Sequence, residues 1–222
     1  MVRSHSAFAN SGADLVLGPA FLHLTQTFLL GCGWFAILLG GLLGLTFGVV
    51  TQTGDLAIDP TWSRQLFAHL LLGRLPTLLV AAFVLLRVNF QLATDAQWVQ
   101  VLFVHKKFGA YVLACVVASM LAWAWFFLSV MAGSWLGIMH SFSGFGQLVW
   151  ESHLGEFQFV QLLHAAFRML VLALGLSLLT LVEIKFLSMQ ADQMHLMMSR
   201  TTILGVVMIL GIELLDFFWS LH

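Results

Sequence analysis

The chain has 222 residues, of which 60% are apolar and only 9% carry a charge. Soluble domains are about 45–50% apolar and about 25% charged, so a water-soluble globule, a disordered chain and, with two cysteines, a disulfide scaffold are excluded. A formal net charge of −1 leaves no basic surface for phosphates, so nucleic acid is not an expected partner.

Five stretches reach the roughly 20 apolar residues that a membrane helix needs, at about 21–50, 65–88, 103–136, 157–186 and 201–221. They are apolar on all faces, and only a helix satisfies such an open-ended backbone in lipid. The expected fold is all-α, a five-transmembrane-helix bundle forming a single membrane domain over 1–222. The first twenty residues lack the pattern of a cleaved signal peptide, so helix 1 is expected to direct its own insertion. Arg3, Arg87, Lys106, Lys107, Lys185 and Arg200 fall on the side of the N-terminus, and the opposite side holds Arg64, at a helix start, and the acids Asp55, Asp59, Glu151 and Glu156. The positive-inside rule then places the N-terminus in the cytoplasm and the C-terminus outside. The expected location is the inner membrane of a bacterium.

Helix 1 carries Gly40, Gly44 and Gly48, a repeat that lets two helix backbones touch; close approach of a flat cofactor is the alternative use. His23 and His105 open helices 1 and 3 at the cytoplasmic side, and His69 and His164 lie a turn or two inside helices 2 and 4 at the outer side. The four sort into two pairs by depth, as two haems b gripped between facing imidazoles would require. Gly73, Gly109 and Gly175 share faces with these histidines and leave room for a porphyrin edge. Arg168 shares the face of His164, and an intramembrane cation needs a partner, for which haem propionates are suited. Arg74 points elsewhere around helix 2, with Glu213 as its expected partner, and Pro76 is expected to kink that helix and free a carbonyl nearby.

Other features have plain readings. Cys32 and Cys115 read as buried apolar thiols, and Trp135, Trp150, Phe157 and Trp219 as an outer interfacial belt. The loop between helices 3 and 4 holds His140, Glu151, His153 and Glu156, which fit a polar loop better than a metal site. Glu183 reads as an interfacial pair with Lys185, or as a proton uptake point near a quinone.

Five helices with histidines on the first four, paired 1 with 3 and 2 with 4, resemble the di-haem cytochrome b anchor of succinate dehydrogenases and fumarate reductases. The resemblance implies that His23 with His105 and His69 with His164 hold haem iron, two haems or one, and that electrons pass to or from quinone. It also implies redox partner subunits docked on the anchor, with membrane lipid around it. The stretches WFFLSVMAGSWLG and FQFVQLLHAAF are more faintly similar to the haem-bearing helices of the cytochrome bd oxidase large subunit. Two functions without a cofactor compete. One is a proton- or ion-conducting module, in which Arg74, His69, Arg168, His164, Glu213 and Asp216 form a polar path near the outer face. The other is a structural subunit of a larger membrane complex.

Overall fold

In a computed structural model of the chain, residues 19–50, 73–94, 108–140, 159–187 and 194–220 are described. They form five helices: α1 (Pro19–Val50), α2 (Leu75–Thr94), α3 (Phe108–His140), α4 (Phe159–Leu187) and α5 (Met194–Ser220). Among the described residues four runs are long and apolar enough to cross a membrane: Thr25–Val50, Phe108–Met139, Val160–Glu183 and Met198–Asp216. The apolar part of α2 is shorter, Leu75–Arg87.

The helix ends differ from the sequence expectation for physical reasons. Expected helix 2 starts at 65; residues 65–72 lie outside the described residues, and α2 continues past Arg87 to Thr94. Its continuation carries Asn89, which is tolerated inside the bundle because its side-chain amide donates to Thr202 Oγ1 at 2.7 Å. Hydropathy placed the start of the last helix after Arg200, but α5 begins at Met194, ahead of that charge. A helix needs unbroken backbone hydrogen bonding rather than unbroken apolarity, so a lone arginine that snorkels to the surface does not end it. α3 likewise runs four residues beyond the expected 136, to His140.

Successive helices run in opposite directions. Residues 27–35 of α1 meet α2 in reverse order, Thr27 with Arg87 and Phe35 with Phe83. α4 and α5 are antiparallel too, pairing Arg168 with Asp216 and Glu183 with Arg200. α1 and α3 are therefore parallel, and they make the tightest contact in the bundle. A Cβ on Gly44 would collide with the Val130 carbonyl and the Ser134 amide, and one on Gly133 with the Gly41 carbonyl and the Leu45 amide. The glycines of both helices thus let backbone lie on backbone, and α3 fills the space a flat cofactor would need beside them.

The main core joins Phe28, Cys32 and Ala36 of α1 with Val80 and Val84 of α2, Ala118, Ala122 and Phe126 of α3, and Ala165 and Met169 of α4. Both thiols are free and buried, as the sequence implied. A second apolar cluster, Ala81, Leu85, Leu172, Leu176 and Ile209, fills the seam between α2, α4 and α5. Large apolar side chains point outward all along α1 and α5, among them Leu30, Trp34, Leu42, Val207, Leu210 and Leu215. Apolar side chains facing outward over whole helices suit lipid as the surrounding solvent.

Gly44→Ala should destabilise the protein by about 1–3 kcal/mol, because the added methyl group meets rigid backbone rather than a yielding side chain. Gly41→Ala, one residue away with open space before its Cβ, should be close to neutral. Thermal unfolding of the two variants in detergent reads the difference.

Candidate functional site: a charged cluster between α2, α4 and α5

The site forms where α4 and α5 each place two polar side chains one turn apart. On α4 these are His164 and Arg168, at i and i+4. On α5 they are Glu213 and Asp216, at i and i+3. Because the helices are antiparallel, the start of α4 lies beside the end of α5, and the two pairs face each other.

Asp216 is the hub. One of its oxygens, Oδ2, accepts from Arg168 Nη1 at 2.5 Å and lies 4.0 Å from Arg74 Nη2. Its other oxygen, Oδ1, is 3.2 Å from His164 Nε2. Arg168 Nη1 is also 3.6 Å from Glu213 Oε2, and Arg168 Nη2 donates to the Gly73 carbonyl at 2.8 Å. That carbonyl lies where the chain enters α2, in a wide π-type turn at 73–74. The Thr77 hydroxyl reaches the same oxygen at 3.5 Å.

Two guanidinium groups and two carboxylates balance in charge, as a low-dielectric site requires. Burial is graded across the cluster. The side chain of Arg168 is 7% exposed, those of Asp216 and Glu213 are 11% and 13%, Arg74 is 37% and His164 is 56%. The imidazole therefore stands between the outer surface of the bundle and a buried carboxylate. Two buried atoms of the cluster, Arg168 Nε and Glu213 Oε1, have no hydrogen-bond partner among the described residues.

The expected site residues fare differently. His164, Arg168 and Arg74 are brought together. Arg168 finds its counter-charges within the protein, on α5, where the sequence reading assigned it haem propionates. Arg74 is within ion-pair distance of Asp216, whereas Glu213 was its expected partner. His69 and His105 lie outside the described residues, and His23 lies in the first turns of α1 with no side-chain position described. The pairing of His23 with His105 and of His69 with His164 is thus not displayed. The loop bearing Glu151, His153 and Glu156 also falls outside the described residues. Glu183 pairs with Arg200 of α5 at 3.8 Å, where the sequence reading offered Lys185. Sequence reasoning undervalued Asp216; its signal was two acids one turn apart in an otherwise apolar helix.

Fit to a haem is poor at His164. The nitrogen that would face iron is engaged by Asp216, and the notch at Gly175 is filled by the Met208 thioether. Among the described residues no three His, Cys, Asp or Glu side chains gather as a metal site. Gly109, in contrast, does face open space. No protein-family model, curated protein or solved structure matches the chain.

Asp216→Asn should lower stability by about 3–5 kcal/mol, since it leaves Arg168 short of its nearest counter-charge in a dry setting. Combining it with Arg168→Gln should restore part of that loss. A double-mutant cycle on thermal unfolding in detergent measures the coupling.

Proposed function

We propose that the chain is a membrane-embedded proton-conducting subunit, with the cluster around Asp216 as its proton-handling site. The observation that carries this reading is the contact between His164 and Asp216, an exposed imidazole joined to a buried carboxylate. Imidazole is the side chain best suited to exchange protons near neutral pH. The carboxylate behind it is the natural acceptor, and intramembrane ionisable groups that face a bundle interior commonly mark such relays. A proton arriving from the aqueous side binds His164 and passes along the Nε2–Oδ1 contact to Asp216. Arg168 holds that carboxylate in place through the shared oxygen Oδ2 and so leaves Oδ1 for the proton.

In this reading all five helices cross the membrane, α2 included. Its run from Arg74 to Asn89 lies alongside that of α4 from Arg168 to Glu183 and covers the same depth. The basic residues at the Arg87 and Arg200 end put that end in the cytoplasm and His164 toward the outside of a bacterial inner membrane. Partner subunits of a larger membrane complex are expected to dock on it.

A second reading is the haem b subunit of a redox complex that exchanges electrons with quinone. It draws on Gly109, whose face is open and which follows His105 by four residues in the sequence. When bound, a haem would supply one-electron transfer. The residues around His164 do not fit it as they stand, so no step is derived through it.

In vesicles with an imposed pH gradient, the purified protein should carry protons, and His164→Phe should abolish most of the flux while leaving the fold intact, because the ring is half exposed. Colourless protein with this behaviour supports conduction. Protein that shows the paired absorption bands of six-coordinate haem b, and carries no protons, overturns it in favour of the second reading.

A further inference from the structure

The three helices that build the charged cluster repeat one pattern along their length. On α4, Arg168 is followed by Leu172 and Leu176 and then by Glu183. On α2, Arg74 is followed by Ala81 and Leu85 and then by Asn89. On α5, read backwards, Asp216 is followed by Ile209 and then by Thr202 and Arg200. Polar, apolar and polar layers therefore lie in register across all three. Fifteen residues separate the polar positions on α2 and on α4, which corresponds to about 22 Å of helix. That nearly spans a hydrocarbon core of about 30 Å, so the second polar layer sits close to the opposite face.

The second layer is deeply buried. Glu183 is 5% exposed and Asn89 is 4% exposed. Arg200 reaches Glu183 from the surface at 3.8 Å, and Asn89 donates to Thr202. One acceptor on each remains unsatisfied among the described residues: Glu183 Oε2 and Asn89 Oδ1. Buried acceptors without a donor are rare in folded proteins and call for an ordered water. The charged Glu183 does not need this depth to pair with Arg200, whose own side chain is 55% exposed. A pair made only for the interface would rest at the surface, where desolvation costs less.

Between the layers the seam is dry. Ala81, Leu85, Leu172, Leu176 and Ile209 are all buried and pack on one another.

We infer that Glu183 and Asn89 form a second proton-handling station, which holds a water at the end of the seam opposite the Asp216 cluster, with the apolar layer between them as the gate. This inference rests on the proton-conduction reading and extends it to the other membrane face. A proton delivered to Asp216 through His164 crosses to Glu183 only when water briefly threads the apolar layer, and Glu183 then gives it to water, which leaves as hydronium. In this crossing only O–H bonds form and break, and no oxidant or reductant takes part. Arg200 holds the carboxylate from the surface side and is a positioning residue.

The test uses the full-length protein in phosphatidylcholine vesicles loaded with a pH-sensitive dye, with protons as the probe and valinomycin and potassium setting the driving force. Glu183→Gln should lower the flux at least about tenfold, because the amide cannot carry a proton. Glu183→Asp should recover much of it, and Asn89→Leu, which removes the acceptor, should lower it as well. Helical circular dichroism and thermal unfolding check that each variant is folded. Flux in the wild type that is lost in His164→Phe but kept in folded Glu183→Gln overturns this inference alone. Absence of flux in the wild type overturns the conduction reading beneath it. If Glu183→Gln unfolds the protein, Leu176→Ala decides: a thinner gate should raise the flux, and an unchanged or lower flux overturns the two-station scheme.

Discussion

The guanidinium of Arg168 sets the terms for one half of this structure. A full charge inside a membrane helix costs up to about 3 kcal/mol even on lenient scales, and more in a dry setting. The chain meets that cost with two carboxylates from α5 and one carbonyl from the turn ahead of α2. Each of these partners fixes something larger. Asp216 and Glu213 fix the register of α5 on α4, since a shift of one residue would turn both acids away. The Gly73 carbonyl, held by Arg168, fixes the start of α2 against α4. A membrane bundle gains little from the hydrophobic effect between helices, because lipid is as apolar as leucine. Polar pairs of this kind therefore carry the specificity that a core would carry in water.

The other half of the bundle uses contact rather than charge. α1 and α3 run parallel and lay backbone against backbone along a row of glycines. Dispersion over so close an approach replaces the missing hydrophobic drive. The two halves divide the labour. α1 and α3 form a close-packed pair whose buried groups are apolar, hydroxyl, thiol or phenol, whereas α2, α4 and α5 carry the buried charged groups. Such groups cost stability, so a sequence that keeps them in lipid in two separate layers points to use rather than to architecture alone.

Much of the fold was legible from the sequence. Sixty per cent apolarity and the long uncharged runs implied helices in lipid, and the Gly40, Gly44, Gly48 repeat implied a close helix pair. Helix ends were less legible, because hydropathy registers where charge begins and not where hydrogen bonding stops; Met194 and Thr94 lie beyond any apolar limit. The site was legible in its members and not in its wiring. His164, Arg168 and Arg74 stood out as polar residues in apolar helices, yet their common partner Asp216 is fixed by the antiparallel fit of α4 on α5, which no local pattern encodes. The haem expectation draws on matching histidines by depth, on neighbouring glycines and on Arg168. Depth says nothing of the direction in which a ring points, and the His164 ring points at a carboxylate.

The contact on which the account turns is that between His164 Nε2 and Asp216. Solid-state NMR of the protein in bilayers, with nitrogen-15 in the histidine rings and carbon-13 in the aspartate carboxyls, measures it directly. A dipolar coupling from His164 Nε2 to the Asp216 carboxyl that corresponds to hydrogen-bond range is expected, and its loss in Asp216→Asn once its carboxyl label is gone, with the His164 resonance shifted. A His164 nitrogen with no coupling to that carboxyl, or one shifted and broadened by an iron centre, would contradict it.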